Sequence, residues 1–203
     1  MKKVLLISIL FASLSSVQAQ KSNFKFGLAA GINVANITDH SESASVSFSS
    51  RIGFKGNLFF ELPVSKSFSI QTELGYDGLG FKVDAGSLGL GSGEFTSSLN
   101  YLTFSLLPKI DVNQTGLSFY VGPSLALLLS SRASDNMGNS GNSDDDFNSI
   151  DVLGVVGAEY FFPKGVGFSV RYMGGLTNIA KNTQDGETVH NHAWSFMIAY
   201  KIK

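Results

Sequence analysis

A few groups of residues in this chain have types and spacings that could do chemistry. Gly86 to Gly93, reading GSLGLGSG, has the glycine density of a phosphate-cradling loop. Asp144-Asp145-Asp146 offers the oxygen ligands a hard divalent cation takes, with Asp135 or Asn142 as further donors. His190-Asn191-His192 puts two imidazoles on one side of an extended segment, with His40 in another polar stretch, a donor set that suits transition metals. His192 and Ser195 sketch a hydrolytic pair. Glu159 and Arg171 flank a short turn and can meet as an ion pair.

Most of these fail on context. A phosphate loop needs a following helix, and a P-loop also needs a Lys-Ser/Thr pair; Glu94-Phe95-Thr96 offers neither. The aspartate run lacks EF-hand spacing and reads as a solvated loop. No third histidine or carboxylate is fixed near His190 and His192, which read as loop-end residues. The three-residue offset of His192 and Ser195 puts them on opposite faces of a strand. The expectation is therefore a protein that is not an enzyme, with no catalytic residue, no metal and no cofactor.

The Glu159–Arg171 pair is different, because a recognisable element positions it. Ile150 to Leu176 reads as a β-hairpin with two faces. Val152, Val156, Tyr160, Phe168, Val170 and Tyr172 share one face; Asp151, Gly157, Glu159, Gly167, Ser169 and Arg171 share the other. The turn is Phe162-Pro163-Lys164-Gly165, with proline presetting φ and Gly165 free to go left-handed. Pairing Phe162 with Val166 leaves Glu159 diagonal to Arg171 on the polar face.

The same alternation recurs over residues 24–34, 52–62, 67–77, 98–109, 117–129 and 192–203, giving about eight strands near the ~9–11 residues that a tilted membrane strand needs. The connections alternate long and short. The long ones are residues 35–51, 78–97, 130–149 and 177–191, a rhythm that matches short periplasmic turns and longer extracellular loops. Aromatic residues gather at strand ends: Phe24, Phe60, Phe68, Phe119, Tyr160, Phe162, Phe168 and Tyr200 at the short-turn end, Tyr76 and Trp194 near the long loops. The fold class expected is all-β: an eight-stranded antiparallel up-and-down transmembrane β-barrel, apolar outside and polar inside.

The first residues, MKKVLLISILFASLSSVQAQ, read as a secretory signal with Lys2, Lys3, an apolar run and the small-residue site Val17-Gln18-Ala19. Residues 1–19 are expected to be removed, leaving 20–203 as one outer-membrane β-barrel domain. The formal charge of -1 gives no electrostatic case for nucleic acid. Absence of cysteine excludes disulfides, a thiol nucleophile and a lipoprotein anchor.

The signal ending in Gln-Ala-Gln, the opening Phe24-Lys25-Phe26-Gly27-Leu28-Ala29-Ala30-Gly31-Ile32-Asn33 and the later Gly157-Ala158-Glu159-Tyr160 resemble the PorT-like outer-membrane β-barrel proteins of Bacteroidetes, small barrels of the OmpA/OmpX type. The resemblance implies location in the cell outer membrane and a barrel fold far more than an activity. The final Tyr200-Lys201-Ile202-Lys203 departs from the family's terminal aromatic.

A barrel of about eight strands is just wide enough for its own side chains. Inward positions supply Lys25, Lys55, Glu61, Glu73, Tyr101, Tyr120, Glu159, Arg171 and Met197. Glu73 and Glu159 are expected to pair with Arg171 or Lys55 as the ion pairs of a plugged lumen. The functional expectation is surface binding or membrane organisation through the long loops. The partners expected are outer-membrane lipid and an extracellular ligand or envelope protein, with the chain itself a monomer. A transport-related barrel, whether a narrow porin or a secretion accessory, is the alternative. A soluble lipocalin-like binder is the third reading; it requires apolar side chains inside.

Overall fold

The computed structural model describes residues 24–39, 47–84, 86, 93–113, 115–181 and 188–202. The expected signal at residues 1–19, His40 and most of the glycine-rich stretch between Gly86 and Gly93 lie outside the described residues.

Alternating sequence becomes strand throughout. The strands are β1 (Lys25–Asp39), β2 (Phe48–Pro63), β3 (Phe68–Asp84), β4 (Glu94–Asp111), β5 (Leu117–Asp135), β6 (Ser140–Asn142), β7 (Ile150–Phe161), β8 (Val166–Gly175) and β9 (Val189–Ile202). All pairings are antiparallel. Chain neighbours pair in turn, and β1 pairs with β9 through Leu28↔Tyr200 to close the ring. The short β6 folds back on the far end of β5, through Arg132↔Asn142, so β5 pairs directly with β7 in the wall. The closed ring thus has eight strands. Closure is what a lipid-embedded sheet needs, because an open edge would leave N–H and C=O groups unbonded in hydrocarbon.

The expected hairpin forms in the expected register. Tyr160↔Phe168 are direct partners, Phe162 N–H donates to Val166 O at 2.8 Å, and Gly165 has φ +90°. That left-handed conformation is the reason glycine stands there.

The wall is sorted by face. Ile52, Phe54, Leu58, Phe104, Val121, Val156, Val170 and Ile198 are exposed outward, while Lys55, Glu61, Glu73, Glu159 and Arg171 are buried inward. An apolar outer face with a charged interior contradicts the lipocalin-like reading, which requires the reverse. Outward aromatics meet at the strand ends, Phe26 on Phe60 and Phe162 against Tyr160 and Phe168 at the short turns, the half-buried Tyr172 against Trp194 at the other end.

The strands run further toward the long-loop end than the sequence predicts. β3 and β4 stay paired to Asp84↔Glu94, β4 and β5 to Phe95↔Asp135, and β1 and β9 to Asp39↔Val189. Parts of the connections expected at 35–51, 78–97, 130–149 and 177–191 are therefore strand. The cause is an inversion of pattern. Above Tyr76 the outward face turns polar: Tyr76 Oη donates to Asn100, Asn100 to Ser130, and Lys82 pairs with Glu94. The inward face there turns apolar, with Leu79, Leu99, Leu153, Val155 and Ile179 buried together. Alternation persists, but its two faces have exchanged character, so a search for apolar-out strands stops short.

Candidate functional site

The site is the lumen, built in three tiers. Strand pleating aims every second side chain inward, and glycines directly opposite large residues let those side chains lie flat. Gly27 faces Phe59, Gly157 faces Tyr120 and Gly167 faces Phe161 across the ladder. In each case the opposing ring occupies the space a Cβ would take.

The tier nearest the short turns centres on Lys109 of β4, which is fully buried. Its Nζ donates to Glu61 of β2, to Glu159 of β7 at 2.8 Å and to Gln71 Oε1 of β3 at 2.9 Å. Glu61 also accepts from Lys201 at 2.9 Å and from Lys25 at 3.1 Å. One carboxylate thus ties the first and last strands of the chain to the far wall.

The middle tier spans the lumen. β3 and β8 stand opposite each other in the ring, with three strands between them either way. Arg171 of β8 reaches Glu73 of β3 with a two-pronged contact, 2.7 Å from Nη1 and 2.9 Å from Nη2. This fork geometry is the strong form of a charge-assisted hydrogen bond. The guanidinium carbon lies 5.1 Å from the Tyr120 ring centre, and Tyr120 Oη is 2.7 Å from Ser169 Oγ. Gln71 Nε2 donates to Glu73 at 2.8 Å, linking this tier to the one below. Beside the fork, Lys55 meets Asp77 at 2.5 Å. Asp77 also accepts from Asn33 at 2.9 Å and Thr103 at 2.8 Å, and Asn33 accepts from Ser195 at 2.6 Å.

The third tier closes the long-loop end. Asp151 accepts from Asn191 at 2.9 Å and Thr177 at 2.7 Å, and Asn191 also donates to Tyr101 at 3.2 Å. Beyond it lies the apolar cluster around Leu79, Leu99 and Leu153, capped by Ile179 from the connection after β8. That connection is tied to the segment before β7. Asn148 Nδ2 donates to the carbonyls of Asn178 at 2.9 Å and Ala180 at 3.2 Å, and Lys181 N–H donates to Asp146 O at 3.0 Å.

Glu159 and Arg171 keep the predicted diagonal placement but do not pair. Arg171 turns across the lumen to Glu73, and Glu159 is drawn to Lys109, because each finds a closer partner on another wall. Lys55 pairs with neither expected glutamate; Asp77 on the adjacent strand is nearer. Lys109 and Asp77 are absent from the lumen set expected from sequence, as are Gln71, Asn33 and Lys201. Lys109 and Asp77 were both accessible from sequence, since Lys109 continues the inward parity of Tyr101, Thr103 and Ser105, and Asp77 that of Glu73 and Gly75.

The remaining candidates are placed elsewhere. Asp144–Asp146 forms a 3₁₀ turn in which Asp144 accepts from the Ser131 N–H, and Asp135 accepts from Asn139 at 2.9 Å. His192 Nδ1 sits 3.2 Å from Thr38 Oγ1, while Ser195 points inward to Asn33. Among the described residues no three His, Cys, Asp or Glu side chains converge on a metal position.

An outward apolar wall around a charge-filled lumen is the arrangement of a membrane barrel. A family model, described as the outer membrane protein beta-barrel domain, matches residues 18–181. The chain belongs to this family. Its place is the cell outer membrane. Among solved structures it is similar to Neisserial surface protein A, with a TM-score of 0.52 and 16% identity over 87% of this chain and 97% of that one. It is also similar to Ail, the attachment invasion locus protein of Yersinia pestis, with a TM-score of 0.50 and 10% identity over 88% of this chain and 98% of that one. At these identities the likeness speaks for the barrel fold alone. No curated protein matches the chain in sequence.

Proposed function

We propose that this outer-membrane barrel works at the cell surface, in binding or membrane organisation, through its long-loop end and without steady conduction. The observation that carries this reading is the Arg171–Glu73 fork across the full width of the lumen, with Lys109 stitching the tier below. A pore needs a continuous polar path, and here fixed pairs of opposite charge occupy the axis while Ile179 and Leu79 cover one end. The short turns then face the periplasm and the long connections face outward, in keeping with the usual asymmetry of such barrels. The PorT-like resemblance of the opening strand, and removal of residues 1–19 as a signal, belong to the same proposal.

Reconstitution of pure protein in planar bilayers is the test. The expected result is an absence of long-lived, uniform conductance steps. Such steps would overturn the plugged lumen and favour a transport barrel.

A further inference from the structure

The short-turn mouth of the barrel holds a cavity of about 520 Å³, walled by Lys25, Lys66 and Lys201 together with Asp111, Ser118 and Phe161. Lys25 at the start of β1 and Lys201 near the end of β9 stand on paired strands, with Lys66 in the nearby β2–β3 turn, while Asp111 at the end of β4, Ser118 near the start of β5 and Phe161 at the end of β7 complete the wall. The volume lies in the range of small-molecule sites.

Charge at this mouth does not balance. Lys25, Lys109 and Lys201 all contact Glu61, and Lys109 also contacts Glu159. The acid on the cavity wall, Asp111, accepts a hydrogen bond from Ser118. Among the described residues, the cavity wall itself carries three lysines against one carboxylate, and counting Lys109, Glu61 and Glu159 with it still leaves one ammonium group in excess. Lys66 is exposed and has no ion-pair partner among the described residues. The Lys201 ammonium is also held in place, 4.0 Å from the Phe161 ring centre and 2.9 Å from Glu61. Lys25, Lys66 and Lys201 thus line one arc of the cavity with point-charge donors, and lysine binds phosphate in this manner.

We infer that this mouth binds a phosphate-bearing anion, with Lys66 supplying the uncompensated charge and Lys25 and Lys201 sharing their donors between Glu61 and the ligand. Two sources fit the chemistry. Exposed Phe24, Phe162 and Tyr200 at this end mark the level of lipid headgroups, so a headgroup phosphate can reach the cavity from the side. A soluble phosphorylated compound can enter from the water. The site follows from charge and shape and is independent of which side of the membrane this mouth faces.

The test uses the refolded full chain, isotope-labelled, in dodecyl maltoside micelles free of phospholipid. Inorganic phosphate is titrated at constant ionic strength, with chloride as the control, and phosphatidylglycerol is added to a parallel sample. Saturable amide shifts centred on Lys25, Lys66 and Lys201 are expected. Saturation by inorganic phosphate assigns a soluble phosphate, and saturation by phosphatidylglycerol alone assigns a headgroup. Lys66→Glu should weaken binding about tenfold, with heat-modifiability on a denaturing gel confirming the folded barrel. Lys164→Glu reverses an exposed charge on the neighbouring β7–β8 turn and should leave binding unchanged. No saturable shift with either probe, an unaltered affinity in Lys66→Glu, or an equal loss in Lys164→Glu would overturn the proposal.

Discussion

Arg171 shows how much of this protein rests on single side chains. It is buried in the lumen, and both of its terminal nitrogens are used on Glu73. Removing one member of a buried pair leaves the other charged and unpaired, which costs about 3–5 kcal/mol. Arg171→Ala should therefore lower the unfolding temperature sharply, as read by heat-modifiability. Loss of the exposed Lys181, whose ammonium among the described residues donates to the Asp144 carbonyl, should change it little. Lys109 allows a stricter check. Lys109→Met leaves Glu159 without its cation, whereas Glu61 keeps Lys25 and Lys201. Adding Glu159→Gln to Lys109→Met should then recover part of the lost stability. The coupling energy is expected in the range of about 0.5–3 kcal/mol that contacting residues show. A strictly additive double mutant would mean that the two groups do not sense each other.

A strand imposes its alternation on everything that is attached to it. Val121, Val156 and Val170 are exposed on the outer wall of β5, β7 and β8. Arginine at any of these positions should cost about 2–4 kcal/mol near the bilayer midplane. Urea titration of the variants in lipid vesicles gives that number directly. The inward serines set the comparison. Ser169 shares a hydrogen bond with Tyr120 at 2.7 Å, and Ser124 with Ser105 at 2.9 Å. Ser124→Ala or Ser169→Ala should cost about 1 kcal/mol, the usual net worth of one such bond. Equal sensitivity on both faces would contradict the sorted wall. β4 and β5 add a local irregularity. Their ladder skips from Ser105↔Ser124 to Lys109↔Tyr120, and Pro108 and Pro123, which have no N–H to donate, stand in the gap.

At the scale of the whole barrel, three lumen tiers and the unequal connections give the two ends different characters. One end is an open, lysine-rich mouth at the short turns. The other is covered by apolar packing and extended by β6 and the segments around it. An epitope tag between Asn136 and Asn139, at the tip joining β5 to β6, should be reachable by antibody on intact cells. Labelling only after permeabilisation would reverse the orientation. The tip is a suitable place because Met137 there is exposed and Gly138 has open space around it.

Sequence by itself determined the eight-strand count, the antiparallel hairpin at Phe162–Gly165 and which residues face lipid in the central band. These follow from a period of two and from turn chemistry, both of which are local. It also determined that Lys55, Glu61, Glu73, Glu159 and Arg171 lie inside, because pleating fixes the face of a strand residue. The partners within the lumen were decided only by the closed ring. Arg171 and Glu73 are 98 residues apart in the chain and meet because closure sets β3 opposite β8. The apolar packing above Tyr76 was equally out of reach. Pleating already puts Leu79 on the face of Asp77 and Leu99 on the face of Tyr101; that this inward face packs as an apolar cluster at the long-loop end is decided only by the strands and connections that the closed barrel brings together there.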